Sequence, residues 1–425
     1  MFKKLIYMLL ILQATTMSAK SQGFLKRLGE KAASAGSDLL IRKGTQKAEK
    51  AIDGNSPGKA KSTNGPVDKK DTKSSKGSAS GNLINTYSKF DFIPGEKTLL
   101  FDNFDQDAIG EFPLKWYTTG AAEIVKLENQ PGKWLQFNSG SFLSPTVKLP
   151  DNFTIEFDVF VNLSSNSSKV LPGLQFEIFD RGDKAKRLDH YNYSLKNILY
   201  FSTSFHADKA VFSLDSRDNA KQKLKSDKIF LTGFQHNYGS VVHVAISVQK
   251  ERVRLWYNAD KVIDVPTAAA FPANFNQMLF SGPKTAEGYA AFYLTNLRIG
   301  AGQPDTRSKL LDQGKFVTNG ILFDTNSDNI KPESSGLLKE IAAAMKESAS
   351  LKFKVIGHTD SDGQAETNLA LSKRRAEAVK KALTEEFGVD GSMLSTDGKG
   401  AAEPIASNST STGKSENRRV EFVKI

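Results

Sequence analysis

The stretch from Leu351 to Leu383 changes its hydrophobic period midway, and few local structures accommodate such a change. Phe353, Val355 and Gly357 alternate with Lys352, Lys354 and Ile356, the period of two that reads as a strand. The strand runs into Thr359, Asp360, Ser361, Asp362 and Gly363, an acidic, turn-forming loop. Beyond it, Leu369, Ser372, Ala376, Val379 and Leu383 recur every three or four residues, as on one face of an amphipathic helix. Asn368, Leu371, Arg375 and Ala378 form a neighbouring stripe, which sets Arg375 about two turns beyond Asn368. Strand, loop and helix are therefore predicted, with a carboxylate ending the strand and a guanidinium nearby.

Two readings of that pair compete. An Asp and an Arg on adjacent elements often form no more than a surface ion pair worth under about 1 kcal/mol. Side by side and unpaired, they offer an acceptor and a planar donor fork to a zwitterion. Arg374 sits about 100° around the helix from Arg375 and points elsewhere. His358 reads as a strand-end residue, since nothing here needs proton transfer.

The residues Thr359, Asp360, Gly363, Asn368, Leu371, Ser372, Arg375, Ala376, Val379 and Leu383 together resemble the OmpA-like peptidoglycan-binding domain. Upstream, ILFDTNSDNIKP is similar to that family's first strand and loop. Downstream, LSTDGKGAAEP and NRRVEF are similar to its closing loop and last strand. The resemblance covers roughly the last quarter of the chain and implies peptidoglycan as partner, through the diaminopimelate of its stem peptide. Asp360 would accept from the ligand ammonium, and Arg375 would hold its carboxylate through two parallel hydrogen bonds that a lysine cannot reproduce. Backbone amides of Asp324, Thr325, Asn326 and Ser327 would donate to a second carboxylate. The resemblance thus adds Thr359, Asn368, Phe323, Asp324 and Asn326 to the candidate set. Arg418 and Arg419 precede the final strand, either touching ligand or pairing with acidic neighbours, and Arg419 is taken as the site candidate. Lys414 departs from the family, in which an arginine is common after the glycine.

Charge bounds the partners. The net charge is +11, which by itself suggests nucleic acid. Residues 1–90, however, carry 17 Lys and Arg against 6 Asp and Glu, the whole excess, and the remainder is balanced. No nucleic-acid partner is expected. MFKKLIYMLLILQATTMSAKSQG reads as a secretory signal peptide over residues 1–21. Its apolar run is too short for a span, which needs roughly 20 apolar residues. Residues 22–53 read as a basic segment of possible helix, and residues 54–86 as a disordered linker rich in Ser, Gly and Lys. The 425 residues contain no cysteine, so the chain is expected not to be a lipoprotein.

Residues 87–302 read as many short strands, an all-β sandwich. Phe153, Ile155, Phe157, Val159 and Val161 alternate with Thr154, Glu156 and Asp158. HVAISVQKERVRLWYNADKVIDVP, with LFDNFDQ before it and FYLTNLRIG after it, is similar to the concanavalin A-like (laminin-G or glucanase) jelly roll. Some glucanases of that architecture carry a Glu-x-Asp-x-x-Glu strand. Here Val161 stands where the second glutamate would be, so Glu156 and Asp158 read as the polar face of a strand. Asp102, Asp105 and Asp107 lack the glycine and glutamate of a calcium loop and read as a polar turn. Trp116, Trp134 and Trp256 read as core. A membrane barrel is disfavoured, because its strands need about 9 to 11 residues and the hairpin at Val253 to Val265 is shorter.

Residues 303–314 read as a linker, and residues 315–425 as a βαβα-plus-strand α/β sandwich. The multidomain chain is thus expected to be an exported envelope protein of the periplasm or outer membrane of a Gram-negative bacterium. Outer-membrane proteins or glycans would be further partners through the β-sandwich. No cofactor, metal or catalytic residue is expected: the five histidines lack metal-type spacing, and neither GxSxG nor a P-loop occurs. The alternative is a carbohydrate-binding or adhesin-type protein acting through the sandwich, with a glycoside hydrolase behind it.

Overall fold

The alternation around Phe153 forms the long strand β6 (Asn152–Val161), whose Phe153, Ile155, Phe157, Val159 and Val161 enter one apolar core. The structure, a computed structural model, describes residues 90–137, 140–162, 173–181, 196–282, 292–348 and 350–425. The expected signal peptide, basic segment and linker of residues 1–86 lie outside the described residues.

β6 belongs to a sheet with β1 (Lys97–Asp102), β3 (Ala122–Val125), β4 (Trp134–Phe137), β12 (Val241–Gln249), β13 (Arg252–Tyr257), β14 (Asp260–Val265) and β16 (Phe292–Ala301). Its order is β14-β13-β12-β6-β16-β4-β3, with β1 also on β16. The second sheet contains β2 (Tyr117–Thr118), β5 (Gly140–Leu143), β7 (Gly173–Phe179), β8 (Ile198–Phe205), β9 (Lys209–Asp218), β10 (Lys221–Lys225), β11 (Ile229–Thr232) and β15 (Gln277–Gly282). Its order is β10-β9-β8-β7-β15-β5-β2, with β11 on β9. Phe157 meets Phe176 and Phe280 edge-on at 5.4 and 5.1 Å, joining the two sheets across one core. These are open antiparallel sheets stacked face to face, not a closed barrel. Trp116, Trp134 and Trp256 are buried, and their indole N–H groups donate to Asp102, the Pro131 carbonyl and Asp91. In the acidic loop, Lys133 Nζ donates to the carbonyls of Asp105 and Asp107 at 2.9 and 2.6 Å.

The other face of β6 departs from expectation. Glu156 and Asp158 are not a solvated strand face; they are 4% and 6% exposed. Burial of carboxylates demands partners, and they have them. Arg298 Nη1 donates to Glu156 at 2.7 Å, His243 Nδ1 lies 2.7 Å from Asp158, and Asn296 Nδ2 donates to Asp158 at 2.8 Å. Burial pushes both carboxyls up, yet Arg298 and His243 at Glu156, and His243 at Asp158, hold them below the usual range. The cover over this face comes from residues 90–95 and from the C-terminal domain. Phe90 and Phe92 pack on Trp256, and Arg298 Nη2 donates to Asn319 at 2.5 Å.

That C-terminal domain has a four-stranded sheet of β17 (Lys315–Thr318), β18 (Phe353–His358), β19 (Leu394–Gly400) and β20 (Val420–Lys424), in the order β17-β20-β18-β19. Only β18 and β19 run parallel. α1 (Thr306–Leu311), α2 (Ser335–Glu347), α3 (Ala365–Glu385) and α4 (Ser411–Asn417) complete it. Leu310 of α1 is fully buried in this second core beside Phe316, Ile341, Val379 and Phe422, so residues 303–314 are partly folded and not simply a linker. ILFDTNSDNIKP, read by resemblance as a first strand and loop, holds no strand of its own: β17 ends at Thr318, and the bridge Phe323 to Ile330 closes a loop. Among the described residues no helix is long and apolar enough to cross a membrane.

Two stability effects follow. A Cβ at Gly336 of α2 would stand 2.4 Å from the Phe92 carbonyl oxygen. Gly336→Ala should therefore lower stability by roughly 1 to 3 kcal/mol, the opposite sign to the ordinary gain for Ala in a helix, in urea unfolding read by tryptophan fluorescence. For His243, burial pushes the imidazole down, but Asp158 and the nearby Glu156 raise it to about 10. Its folded value exceeds the unfolded one, so its stabilisation is complete below the unfolded value and is lost as pH rises through about 10. Between pH 7 and 9 the wild type should lose up to about 1.4 kcal/mol per pH unit relative to His243→Gln; parallel slopes in urea unfolding would exclude this.

Candidate functional site

The site forms where β18 ends and α3 begins, at the carboxyl end of the parallel pair. Two glycines set the approach. A Cβ at Gly357 would stand 2.2 Å from Ser372 O, and one at Gly398 would stand 2.4 Å from Lys373 N, so α3 lies almost directly on β18 and β19. Arg375, about one turn past Ser372, is thereby brought beside the loop that follows His358. Asn368 Nδ2 donates to the carbonyls of Asp362 and Asp360 at 2.9 and 3.4 Å, which folds that loop over the first turn of α3. Asn368 is itself buried, so it shapes the loop from behind.

Asp360 is 8% exposed. Its Oδ1 accepts from Asp362 N at 3.1 Å and its Oδ2 from Arg418 Nη1 at 2.5 Å. Arg375 forms no ion pair with it. Instead Arg375 Nε donates to Ser327 O at 2.9 Å, and its guanidinium lies 4.8 Å from the centre of the Phe323 ring. Burial, then the Arg418 guanidinium, depress the Arg375 value, and Asp360 opposes them; the three charges therefore share one field. Among the described residues neither Nη1 nor Nη2 of Arg375 makes a hydrogen bond. A half-buried guanidinium with its fork unpaired thus stands beside a carboxylate that already has a partner.

The other candidates divide. Thr359 is buried behind Asp360: its N–H donates to Gly400 O at 2.9 Å, and its Oγ1 has no hydrogen bond among the described residues. Phe323, Asp324 and Asn326 line the facing loop, where Asn326 takes the left-handed φ of +56°. The four amides of residues 324–327 are not all available, because Asp324 N donates to Asn329 O and Ser327 N to Asp324 O. That loop meets Arg375 with a carbonyl. Arg419 does not join the site. It is 4% exposed, and its Nε and Nη2 lie 2.9 and 2.8 Å from Glu421 Oε1. Arg418 takes the place sequence reasoning assigned to Arg419. The final strand carried that signal: with a period of two, Arg419 falls on the face of Glu421, away from Val420 and Phe422 in the core. Arg374 pairs loosely with Asp328 at 3.5 Å. Lys414 Nζ binds Asp362 at 2.7 Å and closes the rim. His358 is buried, and burial with Arg419 pushes its imidazole below the usual value. Leu369, expected on the apolar stripe, is 41% exposed, and Leu371 is buried instead.

The profile of the OmpA family matches residues 322–418. Probable lipoprotein YiaD of Escherichia coli is 46% identical over 106 residues, 25% of this chain and 48% of YiaD. Outer-membrane lipoprotein YfiB of Pseudomonas aeruginosa is 38% identical over 117 residues, 27% of this chain and 69% of YfiB. The crystal structure of the peptidoglycan-associated lipoprotein from Burkholderia pseudomallei is 30% identical, covers 25% of this chain and 88% of that one, and superposes with a TM-score of 0.24. The chain thus spans about half the length of YiaD. Relatives that are lipoproteins run against the expectation that this chain is not one. Through its C-terminal quarter, this chain belongs to the OmpA family.

Proposed function

We propose that the C-terminal domain binds peptidoglycan non-covalently, at the diaminopimelate of a stem peptide, and tethers this chain to the cell wall without catalysing a reaction. The observation that carries the reading is the unequal pairing of the three charges. Asp360 is neutralised by Arg418, while Arg375 keeps its outer N–H groups unused among the described residues. A ligand carboxylate satisfies Arg375 in bidentate fashion, and a ligand ammonium beside it meets the Asp360 carboxylate. A simple amine supplies only half of that match, and a simple acid the other half.

Membership of the OmpA family, with an outer-membrane protein among the relatives, supports a cell-envelope location. The two stacked antiparallel sheets support a concanavalin A-like jelly roll for the sandwich.

Co-sedimentation with purified diaminopimelate-type sacculi tests the reading. Arg375→Lys and Asp360→Ala should each weaken retention by roughly 30-fold or more, the scale for truncating one member of a desolvated charge pair. Free diaminopimelate should release the wild type, and cadaverine, the same chain with both ammoniums and no carboxylate, should not. Retention that survives both substitutions, or equal release by cadaverine, contradicts the assignment. Soluble sugar fragments in the supernatant would point to an enzyme instead.

A further inference from the structure

The two domains touch beside this site. β1 lies at the margin of the first sheet, paired with β16 along one edge. Its register shifts between Thr98 and Leu100, so an extra residue turns the N–H groups of Thr98 and Phe101 toward the same free edge. Among the described residues no strand covers that edge. α4 does: Thr98 N donates to Glu416 Oε1 and Phe101 N to Thr412 Oγ1, each at 3.0 Å. Gln106 Nε2 adds a bond to Ser409 O at 2.7 Å. An exposed edge of unpaired amides is thereby capped by side chains of the other domain.

The same docking carries a side chain into the ligand site. The Phe101 ring lies 5.4 Å below the Arg418 guanidinium, which pairs with Asp360. Arg418 therefore stands between an aromatic shelf from the sandwich and a carboxylate of the wall-binding domain. A long arginine side chain loses considerable rotamer freedom when held in one place. A ring beneath it, supplied by a strand whose backbone is tied to α4, removes much of that freedom before ligand arrives. Asn408 and Lys414 hold the same loop from the α4 side, through Ser361 N at 3.2 Å and Asp362 at 2.7 Å. The segment that frames the loop is thus bound to β1 on its far side.

We propose that Phe101 is a positioning residue for wall binding: the sandwich domain completes the site by holding Arg418 where it fixes Asp360 and faces Arg375. The proposal rests on the wall-binding reading given above. It makes the sandwich a structural part of the receptor and not a passenger on its anchor.

A double-mutant cycle on the full chain tests it, with purified diaminopimelate-type sacculi as the probe. Phe101→Leu keeps an apolar side chain and removes the ring. It should weaken binding about three- to tenfold, in line with a partly desolvated cation–π contact, and Phe101→Tyr should restore it. In an Arg418→Ala background Phe101→Leu should cause no further loss, because Phe101 acts through Arg418. An equal loss in both backgrounds means that Phe101 only supports the fold, and overturns the proposal. So does wild-type binding by Phe101→Leu while Asp360→Ala fails to bind, a result that leaves the wall-binding reading intact. A wild type that does not bind sacculi at all sinks both.

Discussion

The Asp360 carboxylate acts on the Arg375 guanidinium by charge alone and pairs directly with that of Arg418. That choice organises the region. A carboxylate as buried as this one needs compensation, and Arg418 with the Asp362 amide provides it. Arg375 is then left charged, braced by the Phe323 ring and Ser327 O, and among the described residues without a carboxylate of its own. Had Arg375 paired with Asp360, the fork left without a carboxylate would have been that of Arg418 instead. The charges are held in place before any ligand arrives, which lowers the ordering cost of binding.

The same logic of compensated burial joins the two domains. β6 presents Glu156 and Asp158 to what would be solvent in an isolated sandwich, and the second domain with residues 90–95 covers them. Arg298 bridges Glu156 to Asn319, and Asn319 reaches back to Thr98. Buried ion pairs of this kind add little net stability, but losing one partner is costly. Such a seam resists sliding. It also explains why Ile93 packs into the second core while Phe92 packs into the first domain's aromatic cluster.

Legibility in the sequence followed periodicity. β6, β12 and β13 were visible because their apolar residues alternate, and α3 because its buried residues return at helical spacing. Asp360 and Arg375 were legible because they share one strand-loop-helix segment, in which local geometry limits where side chains point. A short strand such as β2 was not visible, since its pairing is set by β5, well beyond it in the chain. The burial of Glu156 and Asp158 was hidden for the same reason: charge on a strand reads as a wet face unless the covering element is known. α1 escaped notice because six residues provide too little period to read. The site's missing member, Arg418, was separable from Arg419 only by carrying the alternation of β20 backward past its first residue. The contact between Phe101 and Arg418 spans more than 300 positions, and no local pattern encodes it.

The central claim concerns where one small zwitterion sits, and a crystal structure of the protein soaked with diaminopimelic acid tests it most directly. The account predicts a ligand carboxylate on the Nη groups of Arg375 and the adjoining ammonium at the Asp360 carboxylate, with Arg418 still over Phe101. Diaminopimelate bound elsewhere, or an Arg375 fork that stays empty at saturating ligand, would contradict it.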